Sequence, residues 1–251
     1  MKKIIKKIFN EKNIAIYVFL ALIASIIYIL VRMVLAPSTP ESGLPVKSTY
    51  TLSLIQCILG VVAMFLPSVI SKRFKVQIPN NMIILYVIFL YAAIILGEVS
   101  NFYYNIQNWD TILHTFSGAM IGALGFSVIS LLNSSDRIES IKLSPIFVAL
   151  FSFCFAVSVG VAWEIYEYSF DSLLGLNMQK FVTYQGTVLV GQAALADTMK
   201  DLIVDSVGAF AMASIGYISL KYKKGWIEKF LLKRVRSVNV ERIKSGKKLT
   251  K

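Results

Sequence analysis

The chain has 251 residues, 56% of them apolar, and its mean hydropathy is +0.67. Soluble domains contain about 45–50% apolar residues; here the excess lies in long blocks, which excludes an ordinary soluble domain and favours a membrane protein. The net charge of +12 comes from lysines and arginines at the chain ends and in certain loops. This clustering indicates membrane topology and argues against a nucleic-acid surface.

The first apolar block follows the basic sequence MKKIIKKIFNEKN. It is long enough to span a bilayer, and no small-residue cleavage site follows it, so we expect an uncleaved first helix rather than a signal peptide. Cys57 and Cys154 both lie inside apolar blocks, where packing residues are more common than disulfides or metal ligands.

Hydropathy predicts an all-α polytopic membrane protein with about six transmembrane helices in one bundle. Residues 1–220 form this single domain, and a basic cytoplasmic tail follows at 221–251. The spans are expected near 14–36, 50–70, 82–104, 111–132, 145–169 and 199–220. In the tail, Trp226, Ile227, Phe230 and Leu231 lie near helical spacing, which is typical of an amphipathic helix on an anionic leaflet; a solvated basic tail is the alternative.

The basic residues predict the orientation of the bundle. Of the 26 lysines and arginines, all but Arg32, Lys47, Lys180 and Lys200 lie in the N-terminal arm, the loops after the second and fourth spans, and the tail. With six spans these segments share one side, which the positive-inside rule assigns to the cytoplasm. We therefore expect both termini to be cytoplasmic in a bacterial inner membrane, with the long 172–196 connection outside.

Eight of the 14 acidic residues fall in or near the extracytoplasmic half of a span, at the same level as the only histidine. These acids are Glu98, Asp110, Glu164, Glu167, Asp171, Asp197, Asp201 and Asp205. Intramembrane acids face the bundle interior and need partners. In the extracytoplasmic half of the spans, we expect only Lys200 and Arg32 as cations. Protons, a metal ion, water or a cationic ligand must balance the remainder.

Helical spacing orders these acids into faces. Asp110 and His114 are about 40° apart on a helical wheel. Asp197, Asp201 and Asp205 form one stripe, and Glu164, Glu167 and Asp171 form another. Glycines at 118, 122, 125, 160 and 208 predict close packing of the helices that carry these stripes.

The preferred interpretation is a membrane-embedded site for Mg²⁺, Mn²⁺, Ca²⁺ or Zn²⁺, because one imidazole among many carboxylates suits hard or borderline ions. The candidate ligands are Asp110, His114, Glu164, Asp201 and Asp205, with Glu98 or Glu167 as the catalytic base. Such a site could hydrolyse an ester or phosphoester of a lipid or envelope small molecule. HExxH, nucleophile-elbow and P-loop motifs are absent from the sequence, so no motif fixes the reaction.

Two other functions remain open. Buried carboxylates also form cation and proton pathways, so a cation- or proton-coupled transporter is one alternative. A non-catalytic structural or interaction protein is the other, in which Asp110 and Asp197 simply favour helix N-termini. The 172–196 connection is expected to be a lid, a re-entrant segment or a surface loop.

Several short motifs occur in a specific order over residues 80–220. They are Gly97–Glu98, WDxxLHxxSG at Trp109–Gly118, WExxE at Trp163–Glu167, Met178–Gln179 and DTMxDLxxDxxG at Asp197–Gly208. In these the chain resembles the bacterial inner-membrane family typified by YjdF. It is more remotely similar to VanZ, which has an Asp-x-x-x-His pair, a later Glu and a late acidic helix ending in Gly. The likeness to VanZ implies a role at the outer leaflet in envelope chemistry.

Overall fold

The structure is a computed structural model that describes residues 11–36, 47–133, 143–183 and 185–234. Within these residues, six helices are long and apolar enough to cross a membrane, which confirms the expected all-α polytopic class. In chain order the helices are α1 (Glu11–Leu35), α2 (Lys47–Phe74), α3 (Asn80–Leu90, continued as a π-helix over Tyr91–Val99), the short α4 (Phe102–Asn105), α5 (Trp109–Asn133), α6 (Pro145–Leu174) and α7 (Gln192–Lys221).

Three of the expected helix boundaries were wrong. The third span ends at Val99, and Asn101 follows in the left-handed region with φ of 57° before α4 begins. The fifth and sixth helices extend further than expected, to Leu174 and from Gln192 respectively. Hydropathy locates only the apolar part of a helix, whereas backbone hydrogen bonding continues through polar residues beyond it.

Local sequence explains the ends of α6. Ser144 is its N-cap and accepts a hydrogen bond from the Phe147 amide at 3.3 Å, and Pro145 occupies the first helical position. Gly175 ends the helix in the left-handed region with φ of 64°, a conformation that glycine adopts without steric cost. The chain is therefore free to turn at the acidic end of the bundle.

The helices pack as two groups. Helices α1, α2 and α3 share a core that includes Leu22, Ile29, Cys57 and Val87. Helices α5, α6 and α7 all pack on one another. The candidate site lies within this second group, because its acids come from these three helices.

The chain after α7 folds back onto the end of the bundle opposite the acids. Strands β1 (Val76–Gln77) and β2 (Lys233–Arg234) pair antiparallel, which brings the basic loop after α2 beside the basic tail. Ile227 is buried among residues that include Phe126 and Val148. Over residues 222–234 the expected amphipathic helix is replaced by a 3₁₀ turn at Glu228–Phe230, since Ile227 packs into the protein.

Part of the topological argument lies outside the described residues. This applies to Lys2, Lys3, Lys6 and Lys7, to Arg137 and Lys142, and to the tail from residue 235 onward. The pairing of β1 with β2 shows that the loop after α2 and the start of the tail share one end of the bundle. Which side of the membrane that end faces stays a prediction.

Candidate metal centre

Glycines bring α5 and α7 into backbone contact at the level of the acids. A Cβ atom at Gly118 would collide with the backbone carbonyl of Asp205, and one at Gly208 would collide with the carbonyl of Thr115. Small residues are what allow transmembrane helices to approach this closely. The two glycines therefore place His114 of α5 directly against the acidic stripe of α7.

Three carboxylates surround the His114 imidazole. Its Nε2 lies 3.7 Å from Asp110 Oδ1 and 3.8 Å from Asp201 Oδ2, and its Nδ1 lies 3.3 Å from Asp205 Oδ2. Asp201 and Asp205 are buried, and the His114 side chain is only 11% exposed. The structure therefore brings Asp110, His114, Asp201 and Asp205 together.

Asp205 is held in place by two further contacts. Ser117 Oγ donates a hydrogen bond to Asp205 Oδ1 at 2.9 Å. Gly160 of α6 leaves room for the other oxygen, since a Cβ there would lie 2.7 Å from Asp205 Oδ2. Asp205 is thus a fixed partner for Nδ1, the position from which a carboxylate commonly orients a metal-ligating histidine. Asp110, by contrast, faces Nε2 on the other side of the ring.

One ligand atom each from Asp110, His114 and Asp201 lies within 4.8 Å of the other two. A nitrogen and two carboxylate oxygens at this spacing fit the donor set of a divalent cation such as Mn²⁺ or Zn²⁺. Asp110 lies in the first turn of α5 and is partly exposed, which gives the cluster a side open to solvent. The group is therefore a three-ligand set at the end of the bundle, in which Asp201 is buried and Asp110 and His114 are partly exposed.

Glu164 and Glu167 extend the acidic face of α6. Glu164 is buried, and neither of its carboxylate oxygens has a hydrogen-bond partner among the described residues. Glu167 accepts a hydrogen bond from Trp163 Nε1 at 2.9 Å, while the Trp163 side chain remains partly exposed. These two carboxylates thus differ: Glu167 is oriented by a neighbour, and Glu164 is not.

Glu98 belongs to a second polar cluster. Ser53 Oγ donates to Glu98 Oε1 at 3.2 Å, and Lys180 Nζ lies 3.6 Å from Glu98 Oε2. The same ammonium lies 4.6 Å from the centre of the Tyr103 ring and 5.6 Å from that of Tyr104. The described contacts of Glu98 are therefore to a lysine and a serine, and its role as a base receives no support from them.

Lys180 is the site residue that the sequence interpretation missed. Burial by itself would lower the pKa of this lysine, but the surrounding acidic groups, of which Glu98 contributes most, together outweigh burial and raise the pKa above its ordinary value. Lys180 therefore carries an ammonium group at the acidic end. Its position in the outer connection directly after the Met178–Gln179 motif was the available signal.

The connection from Gly175 to Gly191 packs onto the acidic end. Asp171, at the end of α6, accepts backbone hydrogen bonds from Met178 at 2.7 Å and from Gln179 at 2.9 Å. Gln179 Nε2 donates to Thr198 Oγ1 of α7, and a bridge pairs Val182 with Val188. We call residues 175–191 the outer hairpin. Asp171 anchors this hairpin, which explains its burial without any role in chemistry.

Asp197 was expected at the start of the last helix, where capping alone would explain it. The helix instead begins at Gln192, so Asp197 lies beyond the capping position. Asp110, by contrast, does lie in the first turn of α5, where an acid is favoured by the helix dipole.

Comparison with known proteins gives a family and one relative. The family model described as "Predicted membrane protein (DUF2238)" matches residues 14–222. A protein of Thermotoga maritima, described as uncharacterized, is 29% identical over 155 residues, which cover 61% of this chain and 70% of that protein. No solved structure matches the chain. The likeness to VanZ is not among these findings and stays an expectation.

Proposed function

The chain belongs to the DUF2238 family of predicted membrane proteins, and we propose that it holds a divalent cation at Asp110, His114 and Asp201. We further propose that this centre hydrolyses an ester or phosphoester of a lipid or envelope molecule at the extracytoplasmic face. The observation that carries the proposal is the proximity of the three ligand atoms, all within 4.8 Å, at one end of a bundle whose helices are long and apolar enough to cross a membrane.

The surrounding residues support defined roles in such a centre. Asp205 fixes the imidazole through Nδ1, which leaves Nε2 directed at Asp110 and Asp201. Glu167 is the candidate general base, because its carboxylate is oriented by Trp163 at the same end of the bundle. A bound divalent ion would supply Lewis-acid polarisation of an oxygen in the substrate or of water.

The distribution of charge favours a surface reaction over transport. From the level of Asp205 to their terminal turns at the opposite end, α5, α6 and α7 carry no charged residue. A proton or cation pathway through the membrane is normally lined by ionisable or polar groups along its length. A cluster confined to one end fits chemistry on a molecule at the membrane surface.

Metal analysis tests the first part of the proposal. Wild-type protein and the Asp201→Ala variant are purified in detergent, and Mg, Mn, Ca and Zn are measured by mass spectrometry. We expect bound metal in the wild type and its loss from Asp201→Ala. Glu228→Gln, an exposed acid at the opposite end, is the matched control and should retain metal. Equal metal in Asp201→Ala and wild type would refute the centre.

The hydrolytic part needs a separate measurement. Metal-loaded protein is incubated with vesicles of bacterial polar lipids, and released fatty acids and water-soluble phosphates are identified. We expect products that EDTA abolishes and that Glu167→Gln strongly reduces while it keeps its metal. If metal-loaded wild type releases no more product than Glu167→Gln, the proposal of hydrolysis is refuted and only the proposal of a metal site stands.

A further inference from the structure

We propose that the acidic end binds two divalent cations and that Glu164 forms the second subsite, beside the one at Asp110, His114 and Asp201. This inference rests on the proposed function and narrows it. It assigns Glu164 to a different ion from the one that His114 ligates, and it names phosphoesters as the substrate class.

The packing of α6 against α7 places Glu164 opposite Asp201. The two helices run antiparallel, with Gly160 of α6 in contact with the Asp205 carboxylate of α7. One helical turn further toward the acidic end, α6 presents Glu164 on the same face as Gly160, and α7 presents Asp201 on the same face as Asp205. Glu164 therefore faces the cluster from α6.

Among the described buried carboxylates, Glu164 alone has neither a hydrogen bond nor an ion pair. Asp171 accepts two backbone amides, Glu98 pairs with Lys180, Asp205 contacts Ser117 and His114, and Asp201 contacts His114. Both Glu164 oxygens lack a partner although the residue is only 5% exposed. A buried carboxylate without a hydrogen-bond or ionic partner lowers the stability of the folded protein by several kcal/mol unless a cation or another ligand compensates its charge.

Protonation alone does not resolve this cost. A proton would remove the charge of Glu164, but its carbonyl oxygen would still have no hydrogen-bond donor among the described residues. A cation bound by Glu164 satisfies the oxygens directly. Hard divalent ions are the class that prefers carboxylate oxygens.

The local charge also favours the binding of more than one divalent ion. Six acids surround the imidazole on α5, α6 and α7: Asp110, Glu164, Glu167, Asp197, Asp201 and Asp205. The buried ammonium of Lys180 is paired with Glu98 instead. A single divalent cation balances the charge of only two of the six carboxylates. A second divalent ion next to Glu164 would halve the negative charge that is left.

Asp201 is the residue that links the two subsites. Its Oδ2 faces His114, and a carboxylate offers a second oxygen to another ion. Centres that contain two divalent ions stabilise the attacking and leaving oxygens of phosphoryl displacement. The inferred substrate is therefore a phosphoester, such as the headgroup linkage of a phospholipid, reached from the membrane surface.

Manganese provides the test, because its paramagnetism reports the distance between ions. The full chain in detergent is depleted of metal and titrated with Mn²⁺, and bound metal is counted by equilibrium dialysis. We expect two Mn²⁺ ions per wild-type chain and a spin-coupled electron paramagnetic resonance spectrum. Glu164→Gln should bind half as much and show the spectrum of an isolated ion. Glu228→Gln should behave as the wild type.

The outcomes separate the two proposals. One uncoupled Mn²⁺ per wild-type chain, unchanged by Glu164→Gln, overturns the second subsite and leaves the first intact. No Mn²⁺ in the wild type refutes the metal centre itself, and the second subsite with it. The wild-type count and spectrum decide the question even if Glu164→Gln does not fold. Glu164→Asp, which keeps a carboxylate, should retain the coupled spectrum.

Discussion

His114 contacts carboxylates through both of its ring nitrogens, and this geometry allows two roles. As a metal ligand the imidazole is neutral, whereas as a positive partner for Asp110, Asp201 and Asp205 it is protonated. Asp205 at Nδ1 and the two acids at Nε2 form the arrangement expected of a ligand with an orienting carboxylate. Substitution separates the two roles.

We expect His114→Lys and His114→Gln both to lose bound metal, because neither side chain supplies an imidazole nitrogen. If His114 acted only as a cation, His114→Lys would keep metal and activity, since lysine restores the charge. Elemental analysis of folded protein, checked by gel filtration, is the measurement. Retained metal in both variants would contradict the ligand role.

Gly208 tests how far the site depends on close backbone approach. Gly208→Ala introduces a Cβ against the Thr115 carbonyl, so α5 and α7 must separate. We expect a loss of about 1–3 kcal/mol in stability, the usual cost of overpacking, together with weaker metal binding. Gly122→Ala is the control on α5, because its Cβ would lie 3.3 Å from Met212 Cβ, a much milder contact than the one at Gly208. Equal thermal stability and metal content in the two variants would show that the contact at Gly208 is not needed.

At the scale of elements, the outer hairpin connects the two helix groups at the acidic end. It is tied to α6 by Asp171, to α7 by Thr198 and to the π-helical end of α3 by Glu98. A π-helical segment commonly marks a functional position in a helix, and here it ends beside the residue that binds Lys180. The first half of the hairpin, residues 176–183, is thus a packed cap over this end, whereas residues 185–191 are largely exposed.

Lys180→Met should destabilise the cap, because it leaves Glu98 buried without a cation. Breaking one partner of a buried ion pair typically costs about 3–5 kcal/mol. The Glu98→Gln/Lys180→Met double variant removes both charges and should recover much of that loss. Thermal unfolding in detergent and proteolysis within the hairpin are the readouts. A double variant no more stable than Lys180→Met would argue against the pair.

The pH dependence of this ion pair follows from the direction of the Lys180 pKa. Because that pKa is raised in the folded protein, the stabilisation is fully present below the ordinary lysine value near 10.5 and is lost as the pH rises through the folded value. We therefore expect the Lys180–Glu98 contribution to be constant between about pH 6 and 9. Thermal unfolding of wild type and the Glu98→Gln/Lys180→Met double variant, which lacks both titrating groups, should keep a constant difference across this range.

At the scale of the whole molecule, the protein has an acidic end and a basic end. The acidic end carries the proposed metal centre and the outer hairpin; the basic end carries the β1–β2 pair and the buried Ile227. The positive-inside rule predicts that the basic end lies in the cytoplasm. That orientation determines whether the centre faces envelope or cytoplasmic substrates.

Cysteine labelling in intact cells tests the orientation. Cys154 is exposed and is first replaced by serine, while Cys57 is buried. A cysteine introduced at Gln185 in the outer hairpin, or at Ser42, should react with a membrane-impermeant reagent, and one at Ser245 should not. Ser42 and Ser245 lie outside the described residues, so only their side of the membrane is predicted. Labelling at Ser245 alone would reverse the orientation and place the centre in the cytoplasm.

The sequence by itself determined the six spans and the shared helical face of Asp110 and His114. Both follow from local properties: hydropathy over a window of about 20 residues and the 3.6-residue period that aligns Asp110 with His114. The glycines at 118 and 208 were also correctly interpreted as close-packing positions. Properties of one helix can be predicted in this way because they depend only on its own residues.

Only the tertiary structure decided which acids have partners. Asp205 meets His114 across 91 residues of sequence, and Lys180, in a loop, is paired with Glu98 rather than with the main cluster. These contacts depend on how α3, α6 and α7 are rotated and on the fold of the outer hairpin, which no periodicity encodes. For the same reason, the sequence could place Glu98, Asp171 and Glu164 only in one acidic zone. In the fold, Glu98 pairs with the Lys180 ammonium, Asp171 accepts two backbone amides, and Glu164 has no hydrogen-bond partner among the described residues.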